Sequence, residues 1–171
     1  MRLLEMLQKP GSKTQVNKIL KYIGDDKGRF AQLIQYYLNG PYRITQRAAL
    51  PLSYCAINHP KLIKPNLKRI IQFAALPEAT DSIKRNTMRL LQFIDVPKAL
   101  EGSVTDMAFR FLSNPAEAIA IRVFSMTVLT NMAIKFPELK NELILMLEQE
   151  LPYASAGFRS RATKSLRILK N

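Results

Sequence analysis

The sequence predicts an all-α fold, an α–α superhelix (solenoid) of about four helical hairpins preceded by a capping helix. The main observation is a short helical pattern that recurs every 37 to 39 residues: an apolar anchor, a small residue four later and a leucine eight later. Such self-similarity is typical of stacked helical repeats. No long stretch alternates apolar and polar residues as a half-buried strand would. The four sets are Ile44/Ala48/Leu52, Ile83/Thr87/Leu91, Ile121/Ser125/Leu129 and Phe158/Ala162/Leu166.

The helices follow in order from the N-terminus. The capping helix is predicted at about residues 13–23, where apolar residues recur at helical spacing and Gly24 follows. Each repeat then holds an outer helix, a turn and an inner helix that carries the recurring pattern. We expect all of residues 1–171 to form a single solenoid domain. The predicted repeats span about residues 26–60, 61–97, 98–137 and 138–171.

Prolines mark the predicted helix ends at the same period, since proline cannot continue the backbone hydrogen-bond ladder and disfavours helix in the residue before it. One series follows the outer helices and the other follows the inner helices. Pro51 lies inside an inner helix instead, where we expect a kink. The outer-helix series is Pro41, Pro77, Pro115 and Pro152, and the inner-helix series is Pro60, Pro97 and Pro137.

The repeats resemble the HEAT repeat family (HEAT/armadillo-like). The segment from Ile44 to Leu52 looks like the inner helix of that repeat, and so do residues 83–91, 121–129 and 158–166. The resemblance implies a non-catalytic scaffold that binds a macromolecule and needs no cofactor. In the family, the residue after the anchor is often basic and bridges neighbouring repeats. The corresponding residues are Thr45, Lys84, Arg122 and Arg159.

The charge is strongly basic and unevenly distributed. The chain has 26 Lys and Arg against 13 Asp and Glu, a net charge of +13. Residues 1–77 contain 13 of the basic and only 3 of the acidic side chains. Such a field favours an anionic partner, either a polyanion such as nucleic acid or an acidic protein surface. The alternative is a pure protein–protein adaptor in which the charge serves solubility.

The candidate partner-binding residues are basic side chains on or beside the inner helices. Positions two, six and nine after each anchor point away from the core stripe, so we expect Arg85, Arg89, Ser53 and Thr130 to face outward. Tyrosines interleave with the early basic residues, and Tyr36 and Tyr42 are the candidates for stacking on nucleic-acid bases. The basic candidates are Arg43, Arg47, Lys84, Arg85, Arg89, Arg122, Arg159, Arg161, Lys164 and Arg167.

One pair of residues has the spacing of a thiol nucleophile and its base. Cys55 and His59 are four apart on a predicted helix, the spacing at which an imidazole could activate a thiol. Because Cys55 lies within an apolar run, we instead expect a buried structural residue. With one histidine and one cysteine, an ordinary zinc site is not expected. The single cysteine and the lack of a signal peptide or membrane span indicate a cytoplasmic protein.

An enzyme is the remaining alternative. Helical-repeat alkylpurine DNA glycosylases are similar in build, with a basic curved surface that holds DNA. That group uses a carboxylate and aromatic residues, notably tryptophans, in its cleft, whereas this chain has no tryptophan. We carry over no catalytic residue from the resemblance, because likeness of fold alone is weak grounds for assigning an activity.

Overall fold

The computed structural model describes residues 2–171, and the regular secondary structure in that range is entirely helical. The all-α prediction is therefore confirmed. The chain divides into two compact units, the first ending at Asp95 and the second spanning Val96–Asn171.

The first unit is built around its longest helix, α4. Helices α1, α2, α3 and α7 all pack against α4, and α6 packs on α7. A 3-10 turn at Lys64–Asn66 separates α5 from α6. The helices are α1 (Arg2–Gln8), α2 (Lys13–Ile23), α3 (Lys27–Asn39), α4 (Tyr42–Asn58), α5 (Pro60–Ile63), α6 (Leu67–Ala75) and α7 (Asp81–Leu91).

Two helices, rather than one, precede the first repeat. Helix α2 covers the predicted capping helix, and the Ser12 hydroxyl caps it by accepting the Gln15 N–H at 3.0 Å. The sequence pattern does not predict α1, because seven residues are too few to show helical periodicity. Tertiary packing holds α1, since Leu3 and Leu7 are 1% and 0% exposed.

The second unit is centred on α9, which packs against α8, α10 and α11. Short 3-10 turns precede three of its helices: Lys98–Leu100 before α8, Pro137–Leu139 before α10 and Leu151–Tyr153 before α11. The helices are α8 (Glu101–Ser113), α9 (Ile119–Lys135), α10 (Lys140–Glu150) and α11 (Ala156–Lys170).

The recurring pattern forms the core of both units. All twelve of its residues are buried, with no exposure above 8%. Positions separated by four and eight residues lie on one face of a helix, so each inner helix presents one continuous apolar stripe to its neighbours. Complete burial of one such Leu, Ile or Phe contributes about 1.5–3 kcal/mol. The repeat is thus visible in the sequence because it is the packing surface.

The position nine residues after the anchor is buried in two repeats, so the prediction that Ser53 and Thr130 face outward is wrong. Their exposures are 0% and 3%. Each hydroxyl forms a hydrogen bond to a backbone carbonyl of its own helix. Ser53 donates to the Leu50 carbonyl at 2.8 Å, and Thr130 donates to the Met126 carbonyl at 2.8 Å. Because the backbone carbonyl supplies the acceptor, a small hydroxyl enters the core at little cost.

The prolines act differently from one another. Helix α4 continues through Pro51 to Asn58, and α9 ends at Lys135, just before Pro137. Helix α7 ends at Leu91, six residues before Pro97. A proline can prevent a helix from continuing past it, but a helix may also end well before the proline.

The single thiol lies in the core of the first unit. Cys55 is 2% exposed, and burial raises the pKa of its thiol to about 12. His59 is the C-cap residue of α4, where its backbone N–H donates to the Cys55 carbonyl at 2.8 Å. A neutral, buried thiol is a poor nucleophile, so these observations favour the structural role.

Replacing Cys55 with alanine should lower the free energy of unfolding by about 1–2 kcal/mol at neutral pH through lost packing. The difference in free energy of unfolding between the wild type and Cys55→Ala should shrink as pH rises above about 9. The thiol ionises near its ordinary pKa of 9.0 in the unfolded chain, whereas its pKa in the folded protein is about 12. Above about pH 9 the unfolded state therefore binds fewer protons, and stability is lost as pH rises toward 12. Denaturant unfolding at several pH values measures this, and rapid native labelling by a polar thiol reagent would contradict it.

Candidate functional site

A groove of about 720 Å³ lies between α2, α4 and α7 of the first unit. We call it the α2/α4/α7 groove. Its walls come from one face of each helix. The lining residues are Gly11, Ser12, Lys13, Val16, Asn17 and Leu20 from α2 and its N-terminus; Gln46, Arg47, Leu50, Tyr54 and Asn58 from α4; and Ser82, Arg85, Asn86 and Arg89 from α7.

Helical spacing explains why these side chains meet. On α4, lining residues occur at every fourth position and form one stripe beside the buried anchor stripe. They are Gln46, Leu50, Tyr54 and Asn58. On α7, Ser82, Arg85 and Arg89 share a face in the same way. The Gln46 amide also donates to the Thr80 hydroxyl at 2.6 Å, which links α4 to the start of α7.

The groove is positively charged. It contains the side chains of Lys13, Arg47, Arg85 and Arg89, and none of the described residues that line it is acidic. Low-dielectric walls, supplied here by Val16 and other apolar side chains, strengthen such a field because water screens it less. The groove is therefore suited to an anionic ligand.

Arg89 is oriented by its neighbours on α7 and α4. Its Nη1 donates to the Asn86 Oδ1 at 2.7 Å, and Asn86 is itself only 3% exposed. Its guanidinium carbon is 5.8 Å from the centre of the Tyr54 ring. Burial lowers the pKa of Arg89, while Tyr54 raises it and the nearby charge of Arg85 lowers it further. Arginine remains charged at neutral pH, so an anion here would relieve repulsion between two cations.

Arg85 has an unused donor. Its Nε is buried and has no hydrogen-bond partner among residues 2–171. A buried donor without an acceptor costs about 1–3 kcal/mol. A rotation of the guanidinium that presents this N–H to an anion in the groove would remove that cost.

Arg47 has a structural partner as well as a place in the groove wall. Its Nη1 donates to the carbonyls of Leu7, at 3.3 Å, and of Gln8. These are the final carbonyls of α1, which lack partners within the helix. Arg47 thus fastens α1 to α4 while its charge remains at the groove.

Arg122 is engaged elsewhere. It is 6% exposed, its Nε donates to the Leu112 carbonyl at 2.9 Å, and its Nη2 pairs with Glu150. It therefore links α8 to α10 within the second unit, which is the bridging role that the HEAT resemblance implies for the residue after the anchor. An anionic partner could reach it only by displacing Glu150.

The other predicted residues of the second unit lie on α11. Arg159 is exposed and donates to the Ala154 carbonyl at 3.2 Å, and Arg161 donates to the Thr127 hydroxyl. Lys164 and Arg167 are exposed on the same helix. None of these four side chains lines the α2/α4/α7 groove.

The remaining predicted residues of the first unit lie outside the groove. Arg43 is exposed and Lys84 is half-buried, and neither lines it. The tyrosines Tyr36, half-buried on α3, and Tyr42, 69% exposed at the start of α4, also do not line it.

The tyrosine at the groove is Tyr54, which is not one of the two stacking candidates predicted from the sequence. It is 40% exposed. It lies four residues after Leu50 and eight after Gln46, so the face that carries Gln46 already indicates it. No pattern in the sequence indicates that Lys13 lines the groove, because its position there depends on how α2 docks on α4.

Stacked helical hairpins with apolar inner stripes define a class of repeat proteins that act as helical scaffolds in macromolecular interactions. The HEAT repeat domain family model matches residues 3–169. The chain belongs to that family.

No curated protein and no solved structure matches the chain significantly. Among residues 2–171, no helix is long and apolar enough to cross a membrane. The same residues contain no group of three or more His, Cys, Asp or Glu side chains that could hold a metal ion.

Proposed function

We propose that this protein is a non-catalytic scaffold that binds nucleic acid through the α2/α4/α7 groove. The observation that carries the proposal is the set of four cations in the groove wall with no acidic lining residue among those described. Arginine is well suited to phosphate because its planar fork donates two parallel hydrogen bonds. The excess positive charge of residues 1–77 extends the attraction beyond the groove.

An acidic protein surface is the second candidate partner, favoured by the apolar residues Val16, Leu20 and Leu50 beside the cations. Protein interfaces combine such apolar contacts with a charged rim. In that case, or if the charge serves solubility alone, the protein is an adaptor. For any of these partners we expect the protein to act in the cytoplasm.

A glycosylase-like activity has less support. The groove presents arginines and amides to a ligand, and no carboxylate among its described lining residues could act as a general base. The sequence also has no tryptophan. We therefore assign the groove to binding.

The Arg85→Ala/Arg89→Ala double variant should weaken binding to a labelled DNA oligonucleotide and flatten its salt dependence. Each neutralised phosphate contributes about −0.7 (single strand) or −0.9 (duplex) to the slope of log affinity against log salt concentration. Loss of two contacts should therefore reduce the slope by up to about 1.4–1.8. Fluorescence anisotropy across a salt series measures both quantities.

The matched control is Lys68→Ala/Arg69→Ala. These residues are exposed on α6 of the same unit and their removal deletes the same charge. Equal effects of the two double variants would show that net charge, and not the groove, drives binding. A wild-type affinity no tighter than about millimolar at physiological salt is weaker than ordinary non-specific binding to DNA. That result would rule out nucleic acid as the partner and favour an acidic protein.

A further inference from the structure

We infer that the α2/α4/α7 groove takes single-stranded nucleic acid, with one unpaired base stacked on Tyr54 and adjacent phosphates held by Arg85 and Arg89. This inference rests on the proposed function and specifies its ligand. It follows from three features of the groove: its size, its partly exposed aromatic ring and the position of its cations.

The size of the groove favours a single nucleotide unit over a duplex. A volume of about 720 Å³ between three helices is within the range of clefts that bind small ligands. A duplex keeps the faces of its bases stacked inside and offers a protein only phosphates, sugars and base edges. A single strand can turn a base outward into such a space.

The aromatic ring supplies a surface for that base. Tyr54 lines the groove and is 40% exposed, so a ligand in the groove can contact its side chain. A positively charged groove combined with an aromatic ring is the usual arrangement in proteins that bind single strands, because every base has a face that can stack. The apolar side chains of Leu20 and Leu50 line the same groove and would exclude water from the stacked base.

One of the groove's cations lies over the ring. The Arg89 guanidinium carbon is 5.8 Å above the Tyr54 ring centre, and Arg85 is one helical turn from Arg89 on α7. A nucleotide stacked on the ring therefore has its phosphate within reach of these arginines. An acidic peptide would use the arginines but has no planar base for Tyr54, so the ring distinguishes the two ligands.

The experiment compares five probes on the full-length protein: an oligo-dT and an oligo-rU of about 12 nucleotides, a duplex of equal length, an abasic phosphodiester strand and polyglutamate. We expect both single strands to bind more tightly than the duplex. Tyr54→Ala should weaken single-strand binding by about 5- to 150-fold. Tyr54→Phe should retain most of the affinity, because the ring remains. Preference for rU over dT would identify RNA, and the reverse preference would identify DNA.

Two controls separate stacking from charge and from misfolding. Tyr153→Ala removes a tyrosine that is 91% exposed in the second unit and should leave binding unchanged. The abasic strand tests stacking on the wild-type protein: it should bind more weakly than oligo-dT, whether or not Tyr54→Ala folds.

The inference is overturned if the duplex or the abasic strand binds as tightly as oligo-dT, or if folded Tyr54→Ala matches Tyr153→Ala. If Arg85→Ala/Arg89→Ala still flattens the salt slope in that case, nucleic-acid binding through the groove stands without stacking. If polyglutamate binds more tightly than every oligonucleotide, both proposals fail and the acidic-protein partner replaces them.

Discussion

Replacing Arg122 with alanine is expected to lower the free energy of unfolding by about 3 kcal/mol. The guanidinium is buried, donates to the Leu112 carbonyl at 2.9 Å, and places its Nη2 2.6 and 2.5 Å from the two oxygens of Glu150. Its central carbon lies 4.8 Å from the ring centre of Phe158. Removing one member of a buried ion pair costs about 3–5 kcal/mol. The Glu150 side chain is 35% exposed and regains some hydration, so the lower end applies.

Arg167→Ala is the matched control, because it removes the same charge from an exposed position in the same unit. Surface changes of this kind usually alter stability by less than about 0.5 kcal/mol. Chemical denaturation of both variants gives the comparison. An Arg122→Ala transition indistinguishable from that of Arg167→Ala would show that the bridge between α8 and α10 does not stabilise the second unit.

Replacing Tyr37 with alanine should be the most damaging change in the first unit, with an expected loss of about 3–5 kcal/mol. The side chain is 1% exposed, and its ring meets Phe73 edge-on at a centroid distance of 5.4 Å. Its hydroxyl is hydrogen-bonded to that of Thr87 at 3.3 Å. Tyr37 therefore joins α3 to α6 and α7. Replacing it with alanine would leave a cavity and would deprive the buried Thr87 hydroxyl of this hydrogen-bond partner.

Two further variants separate the parts of this effect. Tyr37→Phe keeps the ring and should cost only about 1–2 kcal/mol, the usual cost of leaving a buried hydroxyl unpaired. Tyr42→Ala removes an exposed tyrosine from the same unit and should change stability little. Thermal or denaturant unfolding measures the stability of all three variants. If Tyr37→Phe lowers the free energy of unfolding as much as Tyr37→Ala does, ring packing is not the main contribution of Tyr37.

Several features of this protein follow from its sequence alone. The recurring anchor, small residue and leucine predict the inner helices, and all twelve of those residues are buried. Helix α2 likewise matches its predicted bounds, with Ser12 as the N-cap. These features are local: side-chain periodicity within one helix determines which face packs, and a capping side chain acts on its own first turn.

The roles of the arginines required the tertiary structure. Arg122, Arg47 and Arg85 all belong to the basic set predicted from position. In the folded chain Arg122 pairs with Glu150, 28 residues away, and Arg47 donates to α1, whereas Arg85 keeps an unsatisfied donor beside the groove. A guanidinium's role depends on the acceptors that surround it in space, and its position on a helix does not specify them.

The groove itself is also a product of tertiary packing. Its walls come from α2, α4 and α7, and the distance in sequence from Lys13 to Arg89 spans most of the first unit. By itself the sequence determined the class of fold, the buried face of each inner helix and an excess of positive charge. Only the docking of α2 and α7 on α4 decided which cations share one surface and that Tyr54 lies among them, because side-chain periodicity orients residues within a helix but not one helix against another.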